Sequence, residues 1–170
     1  MQARRSAPGR ALLAMLVLGL AAGALPAAPV LAETRATLQV DVPGRAGANR
    51  HRLILTATAT EGRDVTLAFS CRVESPGTFG AALDFGLGAI WNVEGEAVVF
   101  SQPGRPNVTH RMLEQDEFLA LGGREAVEIF GPVLAAPRIA FTVRERHRAE
   151  FDLAAVPRQV ARFRELCLDG

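Results

Sequence analysis

Between Val65 and Val73 an apolar side chain stands at every second position: Val65, Leu67, Phe69, Cys71 and Val73. Thr66, Ala68, Ser70 and Arg72 fill the places between them. A period of two puts the first set on one face of a strand and the second set on the other. Its register is then fixed, because a slip of one residue would turn the whole apolar row to water. The same signal recurs along the chain. It predicts strands over Leu38–Val42, Arg52–Thr60, Phe79–Phe85, Glu96–Ser101, Val108–Leu113, Glu117–Leu121, Ala126–Phe130, Arg138–Val143 and Ala149–Leu153. Pro43-Gly44, Glu61–Asp64, Pro76-Gly77 and the Gln102–Asn107 loop, with two prolines and a glycine, punctuate them. Arg144–Arg148 reads as a charged hairpin end between the last two strands.

The C-terminus changes period. Val156, Val160, Phe163 and Leu166 or Cys167 recur at steps of three and four, which gives one apolar helical face. Pro157 suits the first turn, where its missing N–H costs nothing. Arg158, Arg162, Arg164 and Glu165 fall on the solvent side. A helix this short is marginal alone and needs a sheet to rest on. The expected fold class is therefore mainly β, a β-sandwich or small barrel-like antiparallel sheet, with one short C-terminal helix.

The N-terminus has the parts of an export signal in order. Arg4, Arg5 and Arg10 form a positive region, Ala11–Leu20 an apolar stretch, and Pro26, Pro29 and Val30-Leu31-Ala32 a cleavage region. Residues 1–32 are expected to be removed after Ala32, with Ala28 as the alternative site, leaving one domain over 33–170. No later segment is apolar for long enough to span a bilayer, so no stable membrane span is expected after cleavage. Without the signal, 16 arginines face 18 acidic residues, a net charge of −2. That balance gives no reason to expect nucleic acid, whose binding needs clustered surplus cations. Lys is absent, which excludes Schiff-base and lysine-nucleophile chemistry.

Cys71 and Cys167 are the two cysteines, 96 positions apart. An even count in an exported chain points to one disulfide. A loop of this size is assigned about 4 to 5 kcal/mol in the chain-entropy model. No CxxC is present, and no histidine is adjacent in sequence to either cysteine, so the pair reads as structural.

Catalytic constellations do not emerge. His51, His110 and His147 sit in separate elements, none in HExxH, so no metal and no cofactor are expected. No GxSxG elbow precedes a helix. Gly86-Leu87-Gly88 and Gly122-Gly123 lack the strand-to-helix context of a phosphate loop and read as turns or bulges. Glu94 with Glu96, and Asp116 with Glu117, read as solvated carboxylates in polar turns. Two features are candidate binding surfaces. Trp91, the sole tryptophan, follows Leu87-Gly88-Ala89-Ile90, and a loop-borne Trp can anchor a partner, against the alternative of a ring packed over the sheet end beside Ile90. Arg144, Arg146 and Arg148 form a cluster that could meet an anionic partner, against the alternative of a solvated hairpin tip.

The order of parts is export signal, a strand ending in Cys (Leu67-Ala68-Phe69-Ser70-Cys71-Arg72), several strands, then Ala149-Glu150-Phe151-Asp152-Leu153 and a helix ending in Cys167. This order resembles the periplasmic type VI secretion accessory proteins of the VasI-like group and related small secreted bacterial proteins of unknown function. The resemblance spans most of Val65–Cys167 and implies an envelope or secretion-system partner. It carries over no catalytic residue. The chain departs from the pattern at Val98–Ser101, which reads Val-Val-Phe-Ser where an Arg-Phe-Asp-like strand is expected, and near His110, where no tryptophan stands.

The resulting expectation is a periplasmic or secreted, non-catalytic envelope protein that acts as a protein-binding accessory or adaptor. The alternative is a carrier holding a small apolar ligand inside a β-barrel or sandwich.

Overall fold

The strand with the clearest alternation lies inside a nine-stranded antiparallel sheet. The computed structural model describes residues 33–43, 49–87, 94–115 and 118–169. Its strands are β1 Arg35–Val42, β2 Arg50–Thr58, β3 Asp64–Arg72, β4 Ser75–Asp84, β5 Glu96–Ser101, β6 Val108–Gln115, β7 Phe118–Gly122, β8 Arg138–Val143 and β9 His147–Asp152. Two helices join them, α1 Arg124–Val133 and α2 Pro157–Cys167, the latter after a single 3-10 turn at Leu153–Ala155. The order across the sheet is β1-β2-β3-β4-β7-β6-β5-β8-β9.

Alternation sets the register as the sequence demands. His51, Leu53 and Leu55 of β2 stand opposite Cys71, Phe69 and Leu67 of β3, and all six are buried. On the other face Arg50, Arg52 and Ile54 stand opposite Arg72, Ser70 and Ala68. The middle of the sheet turns at β6. Its first residues, Val108–Met112, pair with β5, while Leu113–Gln115 pair with β7. One strand thus belongs to both halves and forms a corner.

Past the corner the sheet curls back on itself. Strands β2 and β9 come into contact, and the Thr60 amide donates to the Arg148 carbonyl at 3.1 Å. The Asp152 amide donates to the Thr34 hydroxyl at 2.7 Å. These are isolated hydrogen bonds rather than a ladder, so the expected antiparallel sheet is present but is not closed into a barrel. Phenylalanine rings fill the space that a barrel would have enclosed. Phe69 lies 5.7 Å from Phe79 and 5.4 Å from Phe130, and Phe100 lies 5.4 Å from Phe130 and 5.1 Å from Phe141. Edge-to-face and tilted pairs of this kind add about 0.5 to 1.5 kcal/mol each beyond the area they bury.

Helix α2 forms where the three-and-four spacing places it. Pro157 occupies its first turn, and Val160, Phe163 and Cys167 are its buried residues. Cys167 is bonded to Cys71, with the Cα atoms 5.8 Å apart, so β3 and the end of α2 are joined covalently.

Helix α1 corrects the expectation of a strand at Ala126–Phe130, and with it the expectation of a single helix. Ala126, Phe130 and Val133 are buried at helical spacing, with Val127 and Ile129 packed partly against the core. Alternation over five residues includes a pair at i and i+4, which a helix also places on one face. The run out to Val133 is what decides between the two patterns. Pro132 stands in the last turn, where the helix ends. At its start Gly123 takes a φ of 76°, which turns the chain sharply from β7 into α1.

Candidate functional site

The inward-facing side of β6 passes from core to surface. Phe100 stands opposite Val108 and Val98 opposite His110, so Val108, His110 and Met112 share the face that the core uses. Met112 is fully buried, His110 half-buried, and Val108 is 48% exposed. A core-facing row therefore emerges uncovered at its end. Helix α1 lies beside it without meeting it, and an open cleft of about 570 Å³ remains between the helix and the β5–β6 hairpin. Such a volume falls in the range of ligand and anchor sites.

The cleft is built from both elements. Phe100 and Val133, both buried, lie at its base, and Ile129, Pro132, Pro106 and Val108 form its apolar walls. Phe100 is also the ring against which His110 packs edge-on, 5.6 Å between centroids. The Gln102–Asn107 loop brings Pro106 and Arg105 to one side. Gly104 turns that loop with a φ of 72°, and the Arg105 amide donates to the Gln102 carbonyl at 3.3 Å. The rim is charged in both senses, with Arg105 beside the His110 ring on the hairpin side and Glu125 and Glu128 on the helix side. Glu128 is also held by Arg124, one helical turn away, at 2.8 Å. Gln102 has its side-chain nitrogen shielded from solvent with no hydrogen-bond partner among the described residues. An apolar group with a polar edge fits this arrangement: the walls take the apolar part, and the Gln102 amide is a donor left over for an acceptor on it.

The residues singled out from sequence are placed differently. Trp91 lies outside the described residues, as does the expected export signal at 1–32. Arg144, Arg146 and Arg148 do share one hairpin between β8 and β9, and each is engaged there. Arg144 forms a charge-assisted pair with Glu96 that raises its pKa, the hydrogen bond being the main cause. Glu96 is therefore a strand residue in an ion pair, which corrects the reading of it as a solvated turn carboxylate. Arg146 donates to Nε2 of His147, and Nδ1 of the same ring lies 2.8 Å from Glu61. If Arg146 donates to Nε2, the ring proton sits on Nδ1 and faces the carboxylate. Arg148 lies 3.7 Å from Glu150, which also takes Arg138 at 3.2 Å. The hairpin is thus a cross-linked end of the sheet.

The histidines remain apart. His51 accepts from the Asp41 amide at 3.2 Å, His110 borders the cleft, and His147 sits in the hairpin network. Among the described residues no three of His, Cys, Asp and Glu gather where a metal ion could sit. Also among them, no helix is long and apolar enough to cross a membrane.

The cleft was missed in the sequence because one of its walls is α1, read there as a strand. Recognising Ala126, Phe130 and Val133 as one helical face would have set a helix beside the β5–β6 hairpin. No protein-family model matches the chain, and no curated protein and no solved structure matches it either.

Proposed function

We propose that this is an exported, non-catalytic accessory or adaptor of the bacterial envelope, periplasmic or secreted. In this reading it holds an envelope or secretion-system protein by an apolar side chain inserted between α1 and the β5–β6 hairpin. The observation that carries the reading is Val108, 48% exposed on the core-facing side of its strand at the mouth of an apolar cleft. Isolated exposed apolar residues are common, but one that continues a core row beside Phe100, Ile129 and Val133 marks a surface completed by something else.

The open mouth favours a partner side chain over a carried small molecule. Carriers bury most of their ligand's surface, and an open cleft with charged residues on two sides leaves much of it wet. A polypeptide brings its own polar flanks to Arg105, Glu125 and Glu128, in the manner of an apolar anchor with a polar rim. Export is supported by the disulfide between Cys71 and Cys167, a bond that persists in oxidising compartments.

The test places a photo-crosslinking residue at position 108 in cells, with position 66 on the opposite face of the sheet as control. One envelope protein should be captured reproducibly from position 108 and not from position 66. Once purified, that protein should bind the parent chain and lose at least tenfold in affinity to the Val108→Asp variant, about 1.4 kcal/mol. Equal labelling from both positions, or affinity unchanged by Val108→Asp, would remove the adaptor reading. Recovery of a bound hydrophobe in place of a protein would install the carrier.

A further inference from the structure

The outer face of the sheet, away from the apolar cleft, carries an arrangement that the adaptor reading does not use. Arg50 of β2 and Arg72 of β3 are direct cross-strand partners. Like charges placed directly opposite each other destabilise a sheet. Here neither arginine has an ion-pair or hydrogen-bond partner among the described residues. The Nε of Arg50 is fully shielded from solvent and unpaired, although it is a donor. A shielded guanidinium nitrogen with nothing to donate to carries a desolvation cost that something must offset.

The two arginines border a recess of about 360 Å³. Ser70, opposite Gly80 in the register, and Thr78 line it as well. The Thr78 hydroxyl donates to the Ser75 carbonyl at 2.6 Å and is a wall. The Ser70 hydroxyl has no such engagement among the described residues and is available as a donor. Gly80 keeps the floor open: a Cβ there would lie 3.8 Å from the Ser70 hydroxyl oxygen, so a larger side chain would grow into the recess. At the far side stands Gly123, where β7 gives way to α1 with no side chain capping the helix. Gly122-Gly123 thus has the strand-to-helix setting that the sequence did not reveal, which corrects its reading as a hairpin turn or bulge. The helix end adds a modest positive potential to a site that the arginines define. Glu125, in the first turn of α1, lines the apolar cleft instead.

We infer that this recess binds a phosphate group, held by the guanidinium groups of Arg50 and Arg72 and the Ser70 hydroxyl. Two guanidinium forks match a tetrahedral dianion in charge and in donor geometry. The volume suits a phosphate with a small substituent. A phosphomonoester in solution and the phosphate of a lipid headgroup share this chemistry, and the experiment separates them.

The test titrates the purified protein with inorganic phosphate by calorimetry at constant ionic strength, with chloride as the reference ion. Vesicles of phosphatidylglycerol, with neutral phosphatidylcholine vesicles as reference, form the second arm. Three proteins are compared: the parent, the Arg50→Gln/Arg72→Gln double variant, and Gly80→Val, which fills the recess and leaves both charges in place. Saturable phosphate binding that falls at least tenfold in both variants establishes the site with a free phosphate. Vesicle binding alone, lost in both variants, establishes it with a headgroup phosphate. Without phosphate, the double variant should unfold no earlier than the parent, because it removes repulsion and breaks no contact. The inference is overturned by absence of saturable binding in both arms, by binding that both variants retain, or by early unfolding of the double variant in phosphate-free buffer.

Discussion

Helices α1 and α2 lie against the same curled sheet and are held there by opposite means. Helix α2 carries a covalent tether at its end, the bond from Cys167 to Cys71, and its ring Phe163 meets Phe69 and Phe79 at 6.2 and 6.0 Å. Helix α1 has no tether. Its ring Phe130 reaches four others, Phe69, Phe79, Phe100 and Phe141, and so spans both halves of the sheet. The tethered helix seals its face, whereas the untethered one holds the centre of the core and leaves an open flank toward Val108. The cross-link thus secures the helix with fewer ring contacts. A cleft beside α1 can exist because that helix is fixed at its middle by one deep ring.

The strongest way to break this contrast is to remove the ring. Phe130→Ala should cost about 3 to 5 kcal/mol, the upper range for a large buried aromatic, and more than Phe163→Ala. Chemical unfolding of the two variants measures both. If Phe163→Ala proved the costlier, the hub would belong to α2, and the account of α1 as the centre of the core would fail.

Next in size is the tether. Replacing Cys71 and Cys167 together by Ser should cost about 2 to 5 kcal/mol of stability. The loss should also be localised. Amide exchange should quicken over Pro157–Cys167 and little over Arg124–Val133, since the two helices are held independently. Equal quickening in both helices would mean that they open as one unit.

The same contrast explains what could be read from the chain. The β2–β3 hairpin was legible because alternation and the turn at Glu61–Arg63 leave one register, the register that buries Leu53, Leu55, Leu67 and Phe69. Helix α2 was legible because its apolar positions run over three turns and Pro157 marks the start. Helix α1 was not, since Ala126 and Phe130 satisfy a strand as well as a helix, and Gly131 and Pro132 look like breakers. The apolar cleft was lost with α1. The pairing of Arg50 with Arg72 lay outside the strand as read from Arg52, and its lack of a compensating acid depends on neighbouring strands that periodicity does not place.

The smallest effect separates backbone from contact within α1 itself. Gly123 and Gly131 both have open space where a Cβ would stand, so Ala at either position meets no residue beyond its chain neighbours. They differ in conformation: Gly123 has a φ of 76° with a ψ of −154°, and Gly131 lies within the helix, before Pro132. Gly123→Ala should therefore cost about 1 to 3 kcal/mol, because a side chain is strained in that glycine-only conformation. Gly131→Ala should gain less than about 0.5 to 1 kcal/mol, because the entropy that Ala saves in a helix is partly offset by its Cβ crowding the Pro132 ring. Opposite signs, measured by thermal unfolding under one set of conditions, would show that α1 begins where Gly123 turns the chain. Matching signs would mean that the turn at Gly123 is not set by its backbone. The sharp entry from β7 would then have to be held by packing around Ala126 and Phe130.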